Sequence, residues 1–471
     1  MKLNNTLLPY QTEAVDKLIK LKVGALFMEQ GTGKTITTLE LVRRRYESQK
    51  IEAAIWLCPC SAKENIKREI IKHCPPELMK IFTICGIETL SSSIRANDYL
   101  LTLVNDKRCF LIIDESLLVK NPSAYRTINI TRISSKCPYK LILNGTPISR
   151  NEADLYAQFN LLDWRILGYR SYWSFAANHL EYDDYGRVQR VLNTDLLAEK
   201  ISPYTFQVLK SDCLDLPGKH YHTYGFSLTD DQNEIYDIAA MTLMEGLDER
   251  KPETIYRLFS GLQAIISGKK LIFENADHFK SVEMFENPLD NPRISALFNI
   301  LPDDGEKVII YCRYESEISQ LCNLLPGAVR FDGKTSLKER NEALKAFRED
   351  KQYLIANKNC AGFSLNLQFC HKIIYLSNDW ELGKRLQSED RVHRIGQDHD
   401  VDITDIYACN TLDEKVLDCL RRKEALLDSI KDEIDNAGNF KDGIKNIIYG
   451  KRHKQEIFDC SDLLEKGDKG A

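Results

Sequence analysis

The sequence contains no apolar run that approaches the roughly 20 residues a membrane-spanning helix needs, which argues against an integral membrane protein. The N-terminal residues, Met-Lys-Leu-Asn-Asn-Thr, also lack the apolar core of a secretory signal. From these two absences we expect a soluble, cytoplasmic protein without a membrane partner.

The chain has no strong excess of charge of either sign. Its 471 residues include 64 Lys and Arg and 69 Asp and Glu, for a formal net charge of −5. This balance gives no global attraction to nucleic acid, so a DNA contact would need a local basic surface. Hydrophobic residues make up 43% and charged residues 28%, which is typical of a globular chain with roughly two or three domains.

The cysteines predict neither a disulfide framework nor a structural zinc site. The 14 cysteines are scattered, and most lie in apolar runs, which favours buried free thiols in a reducing compartment. Two pairs could ligate a metal, Cys58 with Cys60 and Cys370 with His371, but neither has a second pair at zinc spacing. We also find no internal repeat with a period of about 20–50 residues.

The sequence does show a repeated alternation of strands and helices. Runs that are apolar on both faces alternate with amphipathic stretches, which predicts α/β domains built on doubly wound parallel sheets. The predicted strands are Gly24–Met28, Ala53–Leu57, Ile81–Ile84, Cys109–Ile113 and Lys140–Leu143 in the first half, and Lys307–Tyr311, Ala328–Phe331, Tyr353–Ala356, Lys372–Leu376 and Val401–Ile406 in the second.

This pattern divides the chain into four predicted segments. The first domain covers residues 1–225 and includes a helical insertion at 152–206. Residues 226–290 form a helical insertion or linker, and residues 291–436 form the second domain. Residues 437–471 are predicted to be a polar, loosely held tail.

A candidate phosphate-binding loop follows the first strand and opens a helix. Its glycines let backbone N–H groups point inward, and the helix N-terminus adds partial positive charge. Lys34 is expected to bind the β- and γ-phosphates of ATP, and the Thr35 hydroxyl to bind Mg²⁺. The alternative is a glycine turn that precedes Lys-Thr by chance, since Met28 stands where the usual pattern begins with glycine. The predicted ATP-binding residues here are Glu29, Gln30, Gly31, Thr32, Gly33, Lys34 and Thr35.

Two carboxylates end the predicted strand Cys109–Ile113. Asp114 is placed to reach Mg²⁺ at the carboxyl end of that strand, where open α/β sheets bind ligands. Glu115 is placed to polarise the attacking water. An exposed acidic turn is the alternative, but the position of the pair after the phosphate loop favours the catalytic interpretation.

Two further motifs predict parts of the same site. Gly145 and Thr146 follow a strand, and they could bond to the acidic pair and transmit the loss of phosphate. Arg391 and Arg394 lie three residues apart, so on a helix they would share a face. Their planar guanidinium groups suit phosphate oxygens, as in arginine fingers, although a solvated helix with internal salt bridges is the alternative.

In this order, the motifs resemble those of superfamily 2 nucleic-acid motors, and more narrowly the Swi/Snf-type, chromatin-remodeller-like ATPases. Three runs carry the narrower resemblance: Asp114–Ser123 with its Lys-Asn-Pro extension, Gln387–Gln397 ending in Arg-Ile-Gly-Gln, and Lys210–Lys219, which is similar to the family's interdomain segment. The resemblance covers residues 7–430. It implies two RecA-like domains with ATP and Mg²⁺ between them and duplex DNA crossing both.

The resemblance also implies roles for single residues. Gln11 matches the family's N-terminal glutamine and would read adenine, and Gln387 would join Lys34, Glu115 and the two arginines as a catalytic residue. The remaining residues carried over are Gly362 and Asn366 for coupling, with Gly145 and Thr146, and Ser61, Lys63, Lys334 and Thr335 for DNA binding.

The match has two departures. Ser116 stands where the family commonly has His, and Ser364 replaces a glycine of the coupling motif. The sequence has no reader domain of the bromodomain or chromodomain kind. Compact members of this kind occur in bacteria and their phages, so we expect a monomer in a bacterial or phage-infected cell.

The resulting prediction is an ATP-dependent translocase that moves along double-stranded or branched DNA. One alternative is a strand-separating or branch-migrating helicase, whose wedge hairpin could lie within residues 165–195. Another alternative, of a different class, is a nucleotide-dependent DNA-binding clamp with slow or no motor activity.

Overall fold

The chain forms two compact units, and the boundary between them lies between Leu216 and Pro217. The computed structural model describes residues 2–145, 152–182, 188–248, 251–274, 278–358, 365–422, 433, 436–437 and 439–449. The predicted fold class, two RecA-like units with doubly wound parallel sheets, is confirmed. Within these described residues, no helix combines the length and apolar character that a membrane crossing requires.

The first unit is built on a six-stranded parallel sheet with the order β3-β2-β4-β5-β1-β8. Alternate side chains of β2 enter different apolar cores, with Ile55 on one face and Trp56 on the other. Both faces are therefore covered by helices, which is why the strands are apolar throughout. The strands are β1 (Val23–Met28), β2 (Ala53–Cys58), β3 (Phe82–Gly86), β4 (Cys109–Ile113), β5 (Tyr139–Asn144), β6 (Leu180–Tyr182), β7 (Val188–Val191) and β8 (Thr205–Val208).

The helical insertion predicted at 152–206 contains more than helices. A short antiparallel hairpin, β6–β7, lies inside it, within the region left open for a wedge. Strand β8 joins the sheet beside β1, although the sequence predicted no strand there, because an edge strand of four residues gives no long apolar run. The helices of the unit are α1 (Pro9–Leu18), α2 (Lys34–Glu47), α3 (Lys63–His73), α4 (Pro76–Met79), α5 (Ile94–Asp106), α6 (Tyr125–Ser134), α7 (Asp154–Leu162), α8 (Trp164–Leu167), α9 (Tyr172–His179), α10 (Thr194–Ile201) and α11 (Lys210–Cys213).

The second unit has its own six-stranded parallel sheet, with the order β13-β14-β12-β15-β16-β9. A separate two-stranded hairpin, β10–β11, follows one of its helices. Its strands are β9 (Lys219–Phe226), β10 (Lys269–Phe273), β11 (Phe279–Glu283), β12 (Val308–Cys312), β13 (Ala328–Phe331), β14 (Tyr353–Asn357), β15 (Lys372–Tyr375) and β16 (Val401–Ala408). Its helices are α12 (Asp230–Glu245), α13 (Pro252–Ile266), α14 (Pro292–Phe298), α15 (Glu315–Leu324), α16 (Leu337–Glu349), α17 (Leu382–Glu389), α18 (Leu412–Arg422) and α19 (Phe440–Tyr449).

Strand β9 corrects the predicted end of the first domain at residue 225. The strand pairs with β16 along its whole length, so the second unit begins before it. His220, Tyr221 and His222 are exposed, and this polar edge strand gave no apolar pattern to detect. The predicted helices of the 226–290 segment are present, but Tyr236, Leu258 and others pack into the core of the second unit, so the segment is not a separate linker.

Helix α19 corrects the prediction of a loosely held tail at residues 440–449. Ile444, Ile447 and Ile448 are fully buried in the core of the second unit. The Tyr236 hydroxyl also donates a 2.6 Å hydrogen bond to the Ile448 carbonyl. The apolar residues of this helix are interspersed with Lys, Asp and Asn, and the residues after it are polar, so composition alone predicted a solvated segment.

Replacing Ile447 with Ala is expected to destabilise the second unit by about 2–5 kcal/mol, because it leaves a cavity in a closed core. Chemical denaturation would measure the loss. The matched control is Lys441→Ala on the exposed face of the same helix, where we expect a change within about 0.5 kcal/mol. Equal stability of the two variants would contradict the buried placement of α19.

Candidate active site

The phosphate loop lies between β1 and α2, as the sequence predicted. Gly31 and Gly33 have φ values of 86° and 90°, the left-handed region that glycine adopts without steric cost. Thr32 is buried, and its hydroxyl donates to the Glu29 carbonyl at 2.7 Å, which closes the loop on itself. The first turn of α2 therefore begins at a fixed place, with Lys34 and the half-buried Thr35 as its first residues.

Two side chains of α1 hold this loop from outside. The Tyr10 hydroxyl and the Gln11 amide nitrogen both donate to the Thr32 carbonyl at 2.9 Å. The other end of the Gln11 amide accepts a hydrogen bond from the Leu8 N–H, so both of its polar atoms are engaged. Burial, with a smaller contribution from Cys213, raises the pKa of Tyr10 to about 12, so the phenol remains a donor at neutral pH. The contact places Gln11 against the phosphate loop, and its adenine contact stays a prediction.

The contacts of Met28 and Glu29 show why the phosphate loop does not need glycine at its first position, where Met28 stands. The Met28 side chain is fully buried in the core, and its carbonyl accepts a 2.6 Å hydrogen bond from the Lys34 ammonium. This role uses only the backbone of Met28, so glycine is not required there. The Glu29 carboxylate accepts the Lys210 N–H at 2.7 Å, which fastens the loop to α11.

The acidic pair follows β4 in an unusual backbone conformation. The Asp114 N–H donates to the Leu57 carbonyl at 2.7 Å, and the Asp114 carboxylate accepts the Glu115 N–H at 3.0 Å. Glu115 has φ 56° and ψ 55°, a left-handed conformation that costs a residue with a side chain about 1–2 kcal/mol. Such strain is concentrated at functional sites, where the surrounding structure enforces it.

The electrostatics of the pair favour a cation. Burial, reinforced by the Glu115 charge, raises the pKa of Asp114 to about 6, and the Lys34 ammonium acts in the opposite direction. A carboxyl group with a raised pKa is destabilised in its ionised form, so a divalent cation beside it would relieve that cost. The Lys34 contribution also means that the phosphate loop and the acidic pair lie close enough to interact.

The three predicted motifs of the first unit meet because of strand order. Strands β4, β5 and β1 are consecutive in the parallel sheet, so their carboxyl ends lie side by side. Gly145, which follows β5, is close to the phosphate loop, since a Cβ built on it would lie 3.5 Å from the Gln30 side chain. The Gln30 side-chain oxygen is buried without a hydrogen-bond partner among the described residues. Thr146 lies outside the described residues.

The arginine motif of the second unit differs from its prediction. Helix α17 ends at Glu389, so Arg391 and Arg394 lie in the turns that follow and not on one helix face. Both side chains are half-buried, and Gln387 is on the last turn of α17. Gln397 is buried and donates to the Cys370 carbonyl at 2.9 Å, so the final residue of the motif joins two loops of the unit.

A buried ion network, which the sequence analysis missed, holds this motif in place. The Arg385 guanidinium lies 3.4 Å from the Tyr375 ring centre and donates to Glu389 at 2.8 Å and to Asp405. Burial alone would raise the pKa of Glu389, but the Arg385 charge lowers it. Lys219 of β9 also pairs with Glu389 at 3.0 Å. The Arg385–Glu389 spacing of four residues was the one sequence signal for this network.

The remaining predicted residues are dispersed. Asn366 is exposed before β15, and Gly362 lies outside the described residues. Lys63 is exposed at the start of α3, two residues after the half-buried Ser61. In the second unit, Lys334 is exposed and pairs with Glu315 at 2.6 Å, whereas the Thr335 hydroxyl donates to the Asp332 carbonyl at 2.8 Å. Contacts of these residues with DNA stay predictions.

No group of three or more His, Cys, Asp or Glu side chains in the described part of the chain has a geometry that could hold a metal ion. A magnesium ion that accompanies a nucleotide needs fewer protein ligands, because phosphates and water complete its octahedron. Asp114 and Thr35 have the oxygen donors that this arrangement requires. The residues present therefore fit a magnesium nucleotide.

Three family models match the chain. The model of the SNF2-related domain matches residues 82–275, and that of the helicase conserved C-terminal domain matches residues 292–396. The model of the res subunit of type III restriction enzymes matches residues 4–66. The first and second of these models thus cover the acidic pair and the arginine motif, while the third covers the phosphate loop.

The chain is also similar to curated proteins over most of its length. It is 26% identical to the ISWI chromatin-remodeling complex ATPase ISW2 of Saccharomyces cerevisiae, over 98% of this chain and 45% of that protein. It is 24% identical to the TATA-binding protein-associated factor mot1 of Aspergillus fumigatus, over 91% and 27%. It is 26% identical to an uncharacterized ATP-dependent helicase of Mycoplasma genitalium, over 90% and 42%. The chain therefore spans less than half the length of each of these relatives.

Among solved structures, the chain is similar to the Sulfolobus solfataricus SWI2/SNF2 ATPase core in complex with dsDNA. The identity is 22% and the TM-score 0.41, with 90% of this chain and 92% of that chain covered.

Proposed function

We propose that this chain, which belongs to the Swi/Snf-type group of helicase-like ATPases, hydrolyses ATP to move along double-stranded DNA. The observation that carries the proposal is the meeting of the phosphate loop and the acidic pair at the carboxyl edge of one parallel sheet. This is the edge at which α/β sheets bind their ligands.

Each predicted site residue has a distinct role in the proposed ATP hydrolysis. The N–H groups of the phosphate loop and Lys34 would hold the phosphates, while Thr35 and Asp114 would hold Mg²⁺. The metal ion, when bound, neutralises charge that develops on the phosphates. Glu115 would accept the proton of the attacking water, from a backbone position that the fold enforces. Arg391 and Arg394 are proposed to stabilise the charge of the transferred phosphoryl group.

Two arguments support the DNA part of the proposal: the family to which the chain belongs, and the exposed lysine side chains of both units. Members of the group couple the ATPase cycle to duplex DNA, and the exposed Lys63 and Lys334 have side chains suited to phosphate contacts. The net charge of −5 means that such contacts must be local.

Linear duplex DNA is expected to stimulate ATP turnover at low salt, and the stimulation should weaken as salt rises. With about six phosphate contacts, the affinity for duplex would fall about 10³-fold between about 50 and 200 mM salt. Steady-state phosphate release, measured across duplex, single-stranded, forked and four-way DNA at equal salt, tests this. Lys34→Ala controls for contaminating ATPases, because it removes the phosphate-binding ammonium.

Strand-displacement and DNA-binding assays on the same protein separate the proposal from its alternatives. Displacement of a third strand from a triplex without unwinding of a fork is the result expected of a duplex translocase. Fork unwinding would favour a strand-separating helicase, and DNA binding without turnover would favour a nucleotide-dependent clamp. Absence of any DNA stimulation at low salt would overturn the proposed function.

A further inference from the structure

We propose that Gln158, on α7, is a positioning residue that holds Glu115 in its catalytic conformation through Ser116. The functional meaning of this role rests on the proposed ATP hydrolysis, but the contact itself lies within the first unit. Neither Ser116 nor Gln158 belongs to a residue set predicted for the site, and the two are 42 residues apart in sequence.

The need for positioning comes from the backbone of Glu115. Its left-handed conformation, with φ 56°, is one that a glutamate leaves unless its neighbours are held on both sides. On the upstream side, the Asp114 N–H is bonded to the Leu57 carbonyl of β2. A second anchor is therefore required downstream, at the 3₁₀ helix Ser116–Val119.

Gln158 supplies that downstream anchor. The Ser116 hydroxyl donates to the Gln158 side-chain oxygen at 2.6 Å, a short hydrogen bond between two side chains that are fully buried. The Asn144 amide, at the end of β5, donates in turn to the Ser116 oxygen at 3.4 Å. The serine thus links the acidic segment both to α7 and to the strand that leads into Gly145.

Helix α7 is itself fixed relative to the acidic segment. The Gln158 amide nitrogen donates to the Asp154 carbonyl at 2.9 Å, which orients its oxygen toward Ser116. The Lys120 ammonium lies 3.5 Å from the Asp154 carboxylate, so a second contact joins the start of α7 to the segment that follows Ser116. Contacts with α7 are therefore made at both ends of the 3₁₀ helix, by Ser116 at its start and by Lys120 directly after it.

This arrangement predicts a specific kinetic defect. Without the Gln158 oxygen, the Ser116 hydroxyl loses its acceptor and Glu115 can relax toward an unstrained conformation, which moves its carboxylate away from the attacking water. A misplacement of about 1 Å can cost about 100-fold in rate. The phosphate loop is untouched, so we expect kcat to fall at least about ten-fold while KM for ATP stays within about two-fold.

The experiment compares Ser116→Ala, Gln158→Leu and the double variant with Ser134→Ala. The last is a matched control, because the buried Ser134 hydroxyl donates to the Leu161 carbonyl of α7 at 2.5 Å but lies outside the acidic segment. Steady-state kinetics give kcat and KM, and thermal denaturation gives stability. The double variant should regain part of the stability lost by each single variant, since neither Ser116 nor Gln158 then presents a polar group to a missing partner, although the Asn144 amide still loses its Ser116 acceptor. It should nevertheless keep the low kcat.

Hydrogen exchange gives a readout that does not depend on turnover. The amides of residues 114–119 should exchange faster in Gln158→Leu than in Ser134→Ala. Equal exchange in these two variants, or recovery of both stability and kcat in the double variant, would overturn the positioning role. A wild-type protein that hydrolyses no ATP, but in which Gln158→Leu still exposes residues 114–119, would count against the proposed function alone.

Discussion

Replacing Glu115 with Gln is expected to lower kcat for ATP by about 10²–10⁴-fold, because the amide cannot accept a proton from the attacking water. The substitution is nearly isosteric, and the hydrogen bond that the Glu115 N–H donates to the Asp114 carboxylate does not involve the Glu115 side chain. ATP affinity should therefore be retained. Single-turnover hydrolysis and equilibrium binding of a fluorescent ATP analogue measure the two quantities separately.

The matched control for this prediction is Glu77→Gln. Glu77 is an exposed carboxylate on the short helix α4 of the same unit, so its loss changes the net charge equally. Its kcat should equal that of the wild type. If Glu115→Gln hydrolyses ATP within a few-fold of this control, Glu115 is not the residue that polarises water.

A second large effect is expected from Gly33→Ala, which should strongly weaken ATP binding. Gly33 has φ 90°, so alanine there carries a strain of about 1–2 kcal/mol. Its Cβ would also lie 2.3 Å from the Gln11 amide nitrogen. Gln11 must then give up its bond to Thr32, or the phosphate loop must change shape.

Either response damages the site. Added to the backbone strain of the alanine, it raises the free-energy cost of the conformation that binds ATP to several kcal/mol. We expect the Kd for ATP to rise by at least about 10²-fold, since each 1.4 kcal/mol is about ten-fold in affinity. Titration calorimetry with a non-hydrolysable ATP analogue measures this change.

Gly305→Ala controls for backbone strain alone. Gly305 has φ 78°, and no atom lies within 4 Å of the Cβ that alanine would add. This variant should lose a similar amount of stability through strain and bind ATP normally. Unchanged ATP affinity in Gly33→Ala would show that the loop tolerates a Cβ and would contradict the packing of Gln11 against it.

Much of the first unit was predictable from sequence, because its central strands carry an unmistakable pattern. The predicted bounds of β4 coincide with the observed strand. The predicted bounds of β1 and β2 each differ from the observed strand by one residue at one end. These strands are covered on both faces, so every position is apolar and the run stands out. The edge strands β8 and β9 were missed for the opposite reason, since one side of each is less covered and polar residues are tolerated there.

The arginine motif shows how tertiary contacts override a local pattern. The three-residue spacing of Arg391 and Arg394 predicted a shared helix face, but α17 ends before both. Glu389, at the end of that helix, is held by Lys219 and by the Tyr221 hydroxyl, both on a strand some 170 residues earlier. Local periodicity contains no information about such partners.

The order of motifs was therefore determined by the sequence itself: a phosphate loop after one strand, two carboxylates after another, and an arginine pair much later. Residue type and spacing suffice for this, because each motif is a local arrangement of backbone and side chain. Only the tertiary structure decided that β4, β5 and β1 are neighbours, that α19 enters a core, and that Gln158 reaches Ser116. These outcomes depend on strand order and on close packing between distant segments, which form only when the whole chain folds.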